Sequence, residues 1–192
     1  MNQKNLETVD WSAIPAPLDD GSADHLLGMR MPKVALPSTK GGEVSLDQLS
    51  GWHVIFFYPM TGRPDTPLPA GWDGIPGARG CTPQSCSFRN LSQELASNGV
   101  SAIYGISTQT TEYQLEAATR LHLPFELLSD AELLLTGVLQ LPTMEVSGMT
   151  LIKRLTLIIK NSRIKRIFFP VFPPDKNADD VLDFMKNRTS QC

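Results

Sequence analysis

The chain has little of what several specialised protein classes require. Nowhere in its 192 residues does an apolar run approach the eighteen or so that span a bilayer, and Met1 to Thr8 lacks the apolar core of a signal peptide. A cytoplasmic protein with no membrane partner is therefore expected. The three histidines, His25, His53 and His122, are scattered along the chain and offer no ligand set at metal-binding spacing. With three cysteines, an odd number, the chain is not built as a secreted disulfide framework. Basic charge is not in excess: 17 Lys and Arg against 20 Asp and Glu leave a net charge of −3, which gives no reason to expect nucleic acid as a partner. No internal repeat is visible, and the length suits one domain with a core of ordinary size.

What the chain does contain is concentrated in one stretch. An apolar run, His53 to Tyr58 followed by Pro59, reads as a central strand buried on both faces. Residues 60–80 then hold four prolines and five glycines with no hydrophobic period, a long loop of the kind that is usually either functional or disordered. Beyond it, Phe88, Leu91 and Leu95 fall at i, i+3 and i+7, and Asn98-Gly99 supplies a stop, so a helix is expected from about Cys81. Pro83 is tolerated just inside its start, because the first amides of a helix have no partner in any case.

Cys81 thus sits at a helix N-terminus, where unpaired amides and the positive end of the dipole favour an anionic thiolate. Cys86 lies five residues on. In an intact helix that is a rise of about 7.5 Å with a rotation of about 140°, farther than a disulfide spans. A bond between the two would require the first turn or two to come undone, and the serines and Pro83 make that turn cheap to melt. In a reducing compartment a close cysteine pair reads as metal-binding or redox-active, and no further ligands sit near this one.

Along the rest of the chain, residues 1–27 read as a mostly irregular N-terminal arm and 28–192 as a single domain carrying the 60–80 loop as an insertion. A hairpin is expected over 34–46, a strand over Val100–Ser107, and a helix from about Thr111 with Leu115, Ala118 and Leu121 on its buried stripe. A short strand should cover 124–128. Ser129-Asp130 should cap a helix through about Thr136. Leu151–Ile159 reads as one strand containing Arg154, paired antiparallel with Ile164–Phe169, and 177–187 as an amphipathic helix with Val181, Leu182, Phe184 and Met185 inward. Alternating strands and helices followed by a hairpin indicate an α/β fold, a mixed central sheet flanked by helices.

Four segments in order, Phe56-Phe57-Tyr58-Pro59, Gly80 to Arg89, Leu123 to Asp130 and Ile152 to Asn161, together resemble the peroxiredoxins. The subgroup with two cysteines at this spacing in one helix is the Q type, also called bacterioferritin-comigratory protein, and the resemblance runs from about Gly28 to Lys186. It implies a thioredoxin-like fold and thiol-dependent reduction of hydrogen peroxide or an organic hydroperoxide. Cys81 then corresponds to the peroxidatic cysteine, Cys86 to the resolving cysteine, Pro59 to the proline that shields the site and Arg154 to the arginine that polarises the peroxide. No metal or organic cofactor is implied, and the electron donor would be thioredoxin or a glutaredoxin-like protein. The chain is expected to act as a monomer or weak homodimer. The family pattern also places a threonine three residues before the peroxidatic cysteine, where this chain has Ala78, and about fifteen extra residues separate Pro59 from Cys81. Two other readings use the same cysteines: a redox-sensing module whose helix melts on oxidation, and a thiol–disulfide oxidoreductase, whose cysteines normally lie two residues apart.

Overall fold

The computed structural model describes residues 9–188. Cys192, the third cysteine, lies outside them. Two short strands, β1 (Ala35–Pro37) and β2 (Glu43–Ser45), form the expected antiparallel hairpin. The chain then enters β3 (Trp52–Phe57), crosses the long loop, and forms α1 (Cys81–Ser97), β4 (Val100–Ser107), α2 (Thr111–Arg120), β5 (Glu126–Ser129) and α3 (Leu134–Leu139). A second hairpin, β6 (Thr143–Val146) with β7 (Met149–Ile152), precedes β8 (Leu155–Lys160), β9 (Arg163–Phe168) and the closing helix α4 (Asn177–Asn187).

The main sheet has the order β5-β4-β3-β8-β9. β3 is its middle strand, parallel to β4 and antiparallel to β8. This is the mixed α/β sheet expected from the sequence. Successive residues of β3 point to opposite faces, and each face has its own core. Ile55 and Phe57 join Leu36, Leu135 and Leu139 on one side, while Val54, Phe56 and Tyr58 join Phe88, Leu95, Val181 and Met185 of α1 and α4 on the other.

The second core anchors α1. Phe88 stacks on Phe56 with ring centroids 4.6 Å apart, and Phe125 meets Phe56 edge-on at 5.7 Å. Such pairs contribute about 0.5–1.5 kcal/mol beyond the burial of their area. Gly105 on β4 makes room for them, since a Cβ there would come within 2.6 Å of the Phe56 ring. The start of α1 is consequently fixed against the centre of the sheet.

Three expectations are corrected. Leu115 of α2 faces solvent at 46% exposure, and its place on the buried side is taken by Gln114, which is fully buried. A polar residue is stable there because its amide is fully engaged: it accepts from the Tyr58 hydroxyl at 2.6 Å and donates to the carbonyls of Gln109 and Leu128. Asp130 does cap a helix, accepting from the amides of Leu135 and Thr136, but that helix starts only at Leu134 and runs to Leu139, and Ser129 ends β5. Finally, the single strand expected over 151–159 is two strands, β7 and β8, interrupted at Lys153-Arg154. The hairpin before the break turns at Ser147-Gly148, both with positive φ.

Candidate active site

The break between β7 and β8 is where the site is made. Leaving the ladder frees the Arg154 side chain to cross to the start of α1, where it is 2% exposed. Its neighbour Lys153 holds the break in place, donating its amide to Pro142 O at 2.8 Å and pairing its ammonium with Asp20 of the N-terminal segment. That hydrogen-bonded ammonium holds the Asp20 carboxyl well below the usual carboxylate range.

The guanidinium of Arg154 meets the thiol directly. Its Nη2 lies 3.2 Å from Cys81 Sγ and also donates to the carbonyls of Gly77, Ala78 and Arg79. Nη1 donates to Gln84 Oε1. One side chain thus ties the end of the long loop, the thiol and the second turn of the helix together. Gln84 is itself fixed, because its Nε2 donates to Asn177 Oδ1 at 3.0 Å, and the same oxygen accepts from Thr156 at 2.6 Å. Gln84, Thr156 and Asn177 are all fully buried. Sequence reasoning missed this chain, although Gln84, three residues after Cys81, lies on the same face of the helix, and that signal was available.

Cys81 is the first residue of α1, as expected, and its cap residue supplies no side chain to the helix start. The cap is Gly80, with φ 111°, a conformation costly for any other residue. It is also tightly enclosed: a Cβ would lie 2.5 Å from Pro174 Cγ and 2.9 Å from Trp11 Cη2. The first-turn amides have no helical acceptor and, with Arg154, make the corner electropositive. Cys81 is 4% exposed yet lines a cavity of about 450 Å³ with Met60, Trp72, Thr82 and Pro83.

Cys86 faces a second cavity of about 660 Å³ with Trp11, Leu121 and Asp175. Val9, Thr82 and Pro83 border both cavities, so the first turn of α1 is the partition between the two sulfurs.

Pro59 and the side chains around the sulfur fall as follows. Pro59 is buried at the end of β3, and its neighbour Met60 supplies the cavity wall. Arg79 pairs with Asp73 at 2.9 Å, and its carbonyl accepts from Arg154 Nη2. The threonine slot holds Ala78, whose carbonyl lies 3.7 Å from Cys81 Sγ. The hydroxyl of Thr61 is engaged with Gln109 at 3.1 Å. Behind the site Tyr58 is fully buried, and that burial pushes its phenol above the ordinary range, leaving it a neutral donor to Gln114.

A strand–loop–helix with a thiol at the helix start is the site of a thioredoxin-like redox fold, and a family model described as Redoxin matches residues 26–182. The chain belongs to that family. Its relatives within it are peroxiredoxins of the bcp and Q type, in agreement with the resemblance seen in the sequence. A protein of Coxiella burnetii named as a peroxiredoxin bcp is 35% identical over 107 residues, spanning 55% of this chain and 60% of that protein. The chloroplastic peroxiredoxin Q of Sedum lineare is 28% identical over 162 residues, 83% of this chain and 77% of the relative. Among solved structures, peroxidoxin BcpB of Mycobacterium tuberculosis superposes with a TM-score of 0.67 at 26% identity, covering 83% of this chain and 96% of that one. The bacterioferritin comigratory protein of Xanthomonas campestris, described for its alkyl peroxide reduction activity, shares the fold with a TM-score of 0.64 at 20% identity, over 91% of this chain and 98% of its own. Among the described residues no helix is long and apolar enough to cross a membrane.

Proposed function

We propose that this chain is a thiol peroxidase that reduces hydrogen peroxide and organic hydroperoxides through Cys81. One observation carries the reading: a buried guanidinium 3.2 Å from a cysteine sulfur, at a glycine-capped helix start that opens into a cavity. Arg154 stabilises the thiolate and then the charge developing on the peroxide oxygens. Gln84 is the positioning residue that holds Arg154, and Pro59 closes the site on the strand side by family correspondence.

The chemistry follows the cysteine oxidation ladder. The thiolate of Cys81 attacks one peroxide oxygen, a sulfur–oxygen bond forms as the O–O bond breaks, and the second oxygen leaves as water or alcohol after taking a proton. The sulfenic acid then condenses with Cys86, releasing water and forming the Cys81–Cys86 disulfide, and a dithiol reductant returns both thiols. With α1 helical from its first residue, condensation requires the partition formed by Thr82 and Pro83 to unwind. Thioredoxin or a glutaredoxin-like protein is the proposed donor and the cytoplasm the proposed location, with the chain acting as a monomer or weak homodimer.

Stopped-flow mixing of the reduced protein with hydrogen peroxide tests the reading. A fast step that is lost in Cys81→Ser is expected. A wild-type protein that consumes peroxide no faster than free cysteine would leave only the redox-sensing or disulfide-exchange readings.

A further inference from the structure

A segment outside the family's matched residues touches the corner where Cys81 sits. The family model begins at residue 26, and residues 9–20 precede it. We propose that this segment is a strap closed over the start of α1, with Trp11 as the positioning residue that keeps the first turn folded and has to lift before Cys86 can reach Cys81. The inference rests on the peroxidase reading above and concerns its second step, formation of the disulfide.

Trp11 is seated on the backbone that this step moves. A Cβ on Gly80, the cap of α1, would lie 2.9 Å from Trp11 Cη2, so the ring covers the cap directly. The same ring lines the cavity at Cys86 together with Thr82 and Pro83, and Val9 borders the cavities of both cysteines. Phe172 meets the ring edge-on with centroids 6.0 Å apart. Asp10 shapes the short turn that presents it, accepting from the Ser12 amide at 3.1 Å and the Ser12 hydroxyl at 2.6 Å. An intact helix keeps Cys81 and Cys86 farther apart than a disulfide spans, so Gly80 to Pro83 must shift, and the ring seated on that stretch has to give way.

The strap is built to release at one end only. The Trp11 ring is partly buried, and its Nε1 is buried and donates to no group among the described residues. Lifting the ring therefore breaks no hydrogen bond and gives that donor to water. The other end is tied down: Pro17 packs on Gly77, 3.4 Å from where a Cβ would stand, and Asp20 pairs with Lys153 at 2.8 Å. The Gly77 carbonyl in turn accepts from Arg154. The anchored end thus adjoins the groups used in the peroxide step, and the free end covers the turn that unwinds in the next one.

The strap sets how oxidised Cys81 divides between two fates. While it is closed, a second peroxide adds one oxygen to the sulfenic sulfur as its O–O bond breaks and the other oxygen leaves as water, giving the sulfinic acid. Once it lifts, the Cys86 thiolate attacks the same sulfur, a sulfur–sulfur bond forms, and the hydroxide takes a proton and leaves as water.

The test follows the full chain with hydrogen peroxide by quench-flow mass spectrometry, timing the loss of the Cys81 thiol and the gain of the Cys81–Cys86 disulfide. In Trp11→Ala the disulfide should form about tenfold faster, and the sulfinic fraction at excess peroxide should fall by a similar factor, while loss of the thiol changes by less than about threefold. Trp11→Phe, which keeps a ring on Gly80, restores most of the wild-type partition, and Asp10→Ala shifts it in the same direction as Trp11→Ala but by less. A readout on the wild-type protein stands beside the variants: chymotrypsin should cut after Trp11 about tenfold faster in the disulfide form than in the dithiol form, and no faster in peroxide-treated Cys86→Ser, where that disulfide cannot form. Disulfide formation in Trp11→Ala at the wild-type rate or slower, or equal cleavage of the dithiol and disulfide forms, overturns this proposal and leaves the peroxidase reading standing. A wild-type protein that consumes peroxide no faster than free cysteine overturns both.

Discussion

Arg154→Gln removes the guanidinium in contact with the sulfur and is the most informative single change. The bond from Nη2 to Sγ is charge-assisted and buried, a kind that contributes about 1.5–3 kcal/mol. At about 1.4 kcal/mol per tenfold in rate, its loss lowers the second-order rate constant with hydrogen peroxide by roughly 10- to 150-fold. The same guanidinium holds the carbonyls of Gly77, Ala78 and Arg79, so slack in the loop pushes the effect to the upper end of that range. Arg154→Lys separates the two contributions, because it keeps a charge but loses the planar fork that grips carbonyls and Gln84 together; it should fall between wild type and the Gln variant. The rate constant is read by stopped-flow fluorescence under pseudo-first-order peroxide, with circular dichroism to confirm the fold. A folded Gln variant reacting within threefold of wild type would refute the assignment of Arg154 to the chemistry.

Gly80→Ala should destabilise the fold by about 2–4 kcal/mol, since strain at positive φ adds to overpacking against Trp11 and Pro174. Its melting temperature should drop by roughly 5–15 °C, and an unchanged melt would mean that the helix start is not confined as described. Asn177→Ala leaves the Gln84 amide and the Thr156 hydroxyl without their shared acceptor; a several-fold slower peroxide step is expected, and a loss of stability with no change in that step would restrict Asn177 to packing. Burial holds His53 below its ordinary value of 6.5, so the unfolded chain takes up a proton more readily than the folded one. The stability this contributes is complete above about pH 6.5 and is lost as pH falls from there towards the folded value. Urea midpoints at pH 7.5 and pH 5.5 should show a drop that is smaller in His53→Phe, where the stack on Tyr104 can be kept; equal drops would remove His53 from the acid response.

The elements that frame the site could be read in the sequence because each is written locally. β3 is an unbroken apolar run, and α1 carries its stripe, its proline and its Asn-Gly stop within twenty residues of Cys81. The break at Lys153-Arg154 could not be seen this way. Leu151 to Ile159 is apolar enough at both ends to read as one strand, and what interrupts it is a guanidinium whose acceptors lie seventy or more residues away. The β6–β7 hairpin left a weak local trace in Ser147-Gly148, both with positive φ. Gln114 reversed the stripe of α2 because its partners, Tyr58, Gln109 and Leu128, come from three other segments. The cavity wall from the long loop was likewise invisible: a stretch with no hydrophobic period gave no sign that Trp72 and Met60 line the thiol's cavity.

The most direct measurement is mass-spectrometric peptide mapping of the reduced protein after one equivalent of hydrogen peroxide, with Cys86→Ser alongside. Wild type should yield one cross-linked product joining the peptides of Cys81 and Cys86, and the variant should carry sulfenic or sulfinic acid on Cys81 without that link. Recovery of Cys81 as an unmodified thiol, with the oxidant consumed at Cys86 or Cys192, would contradict the assignment of Cys81 as the reacting sulfur.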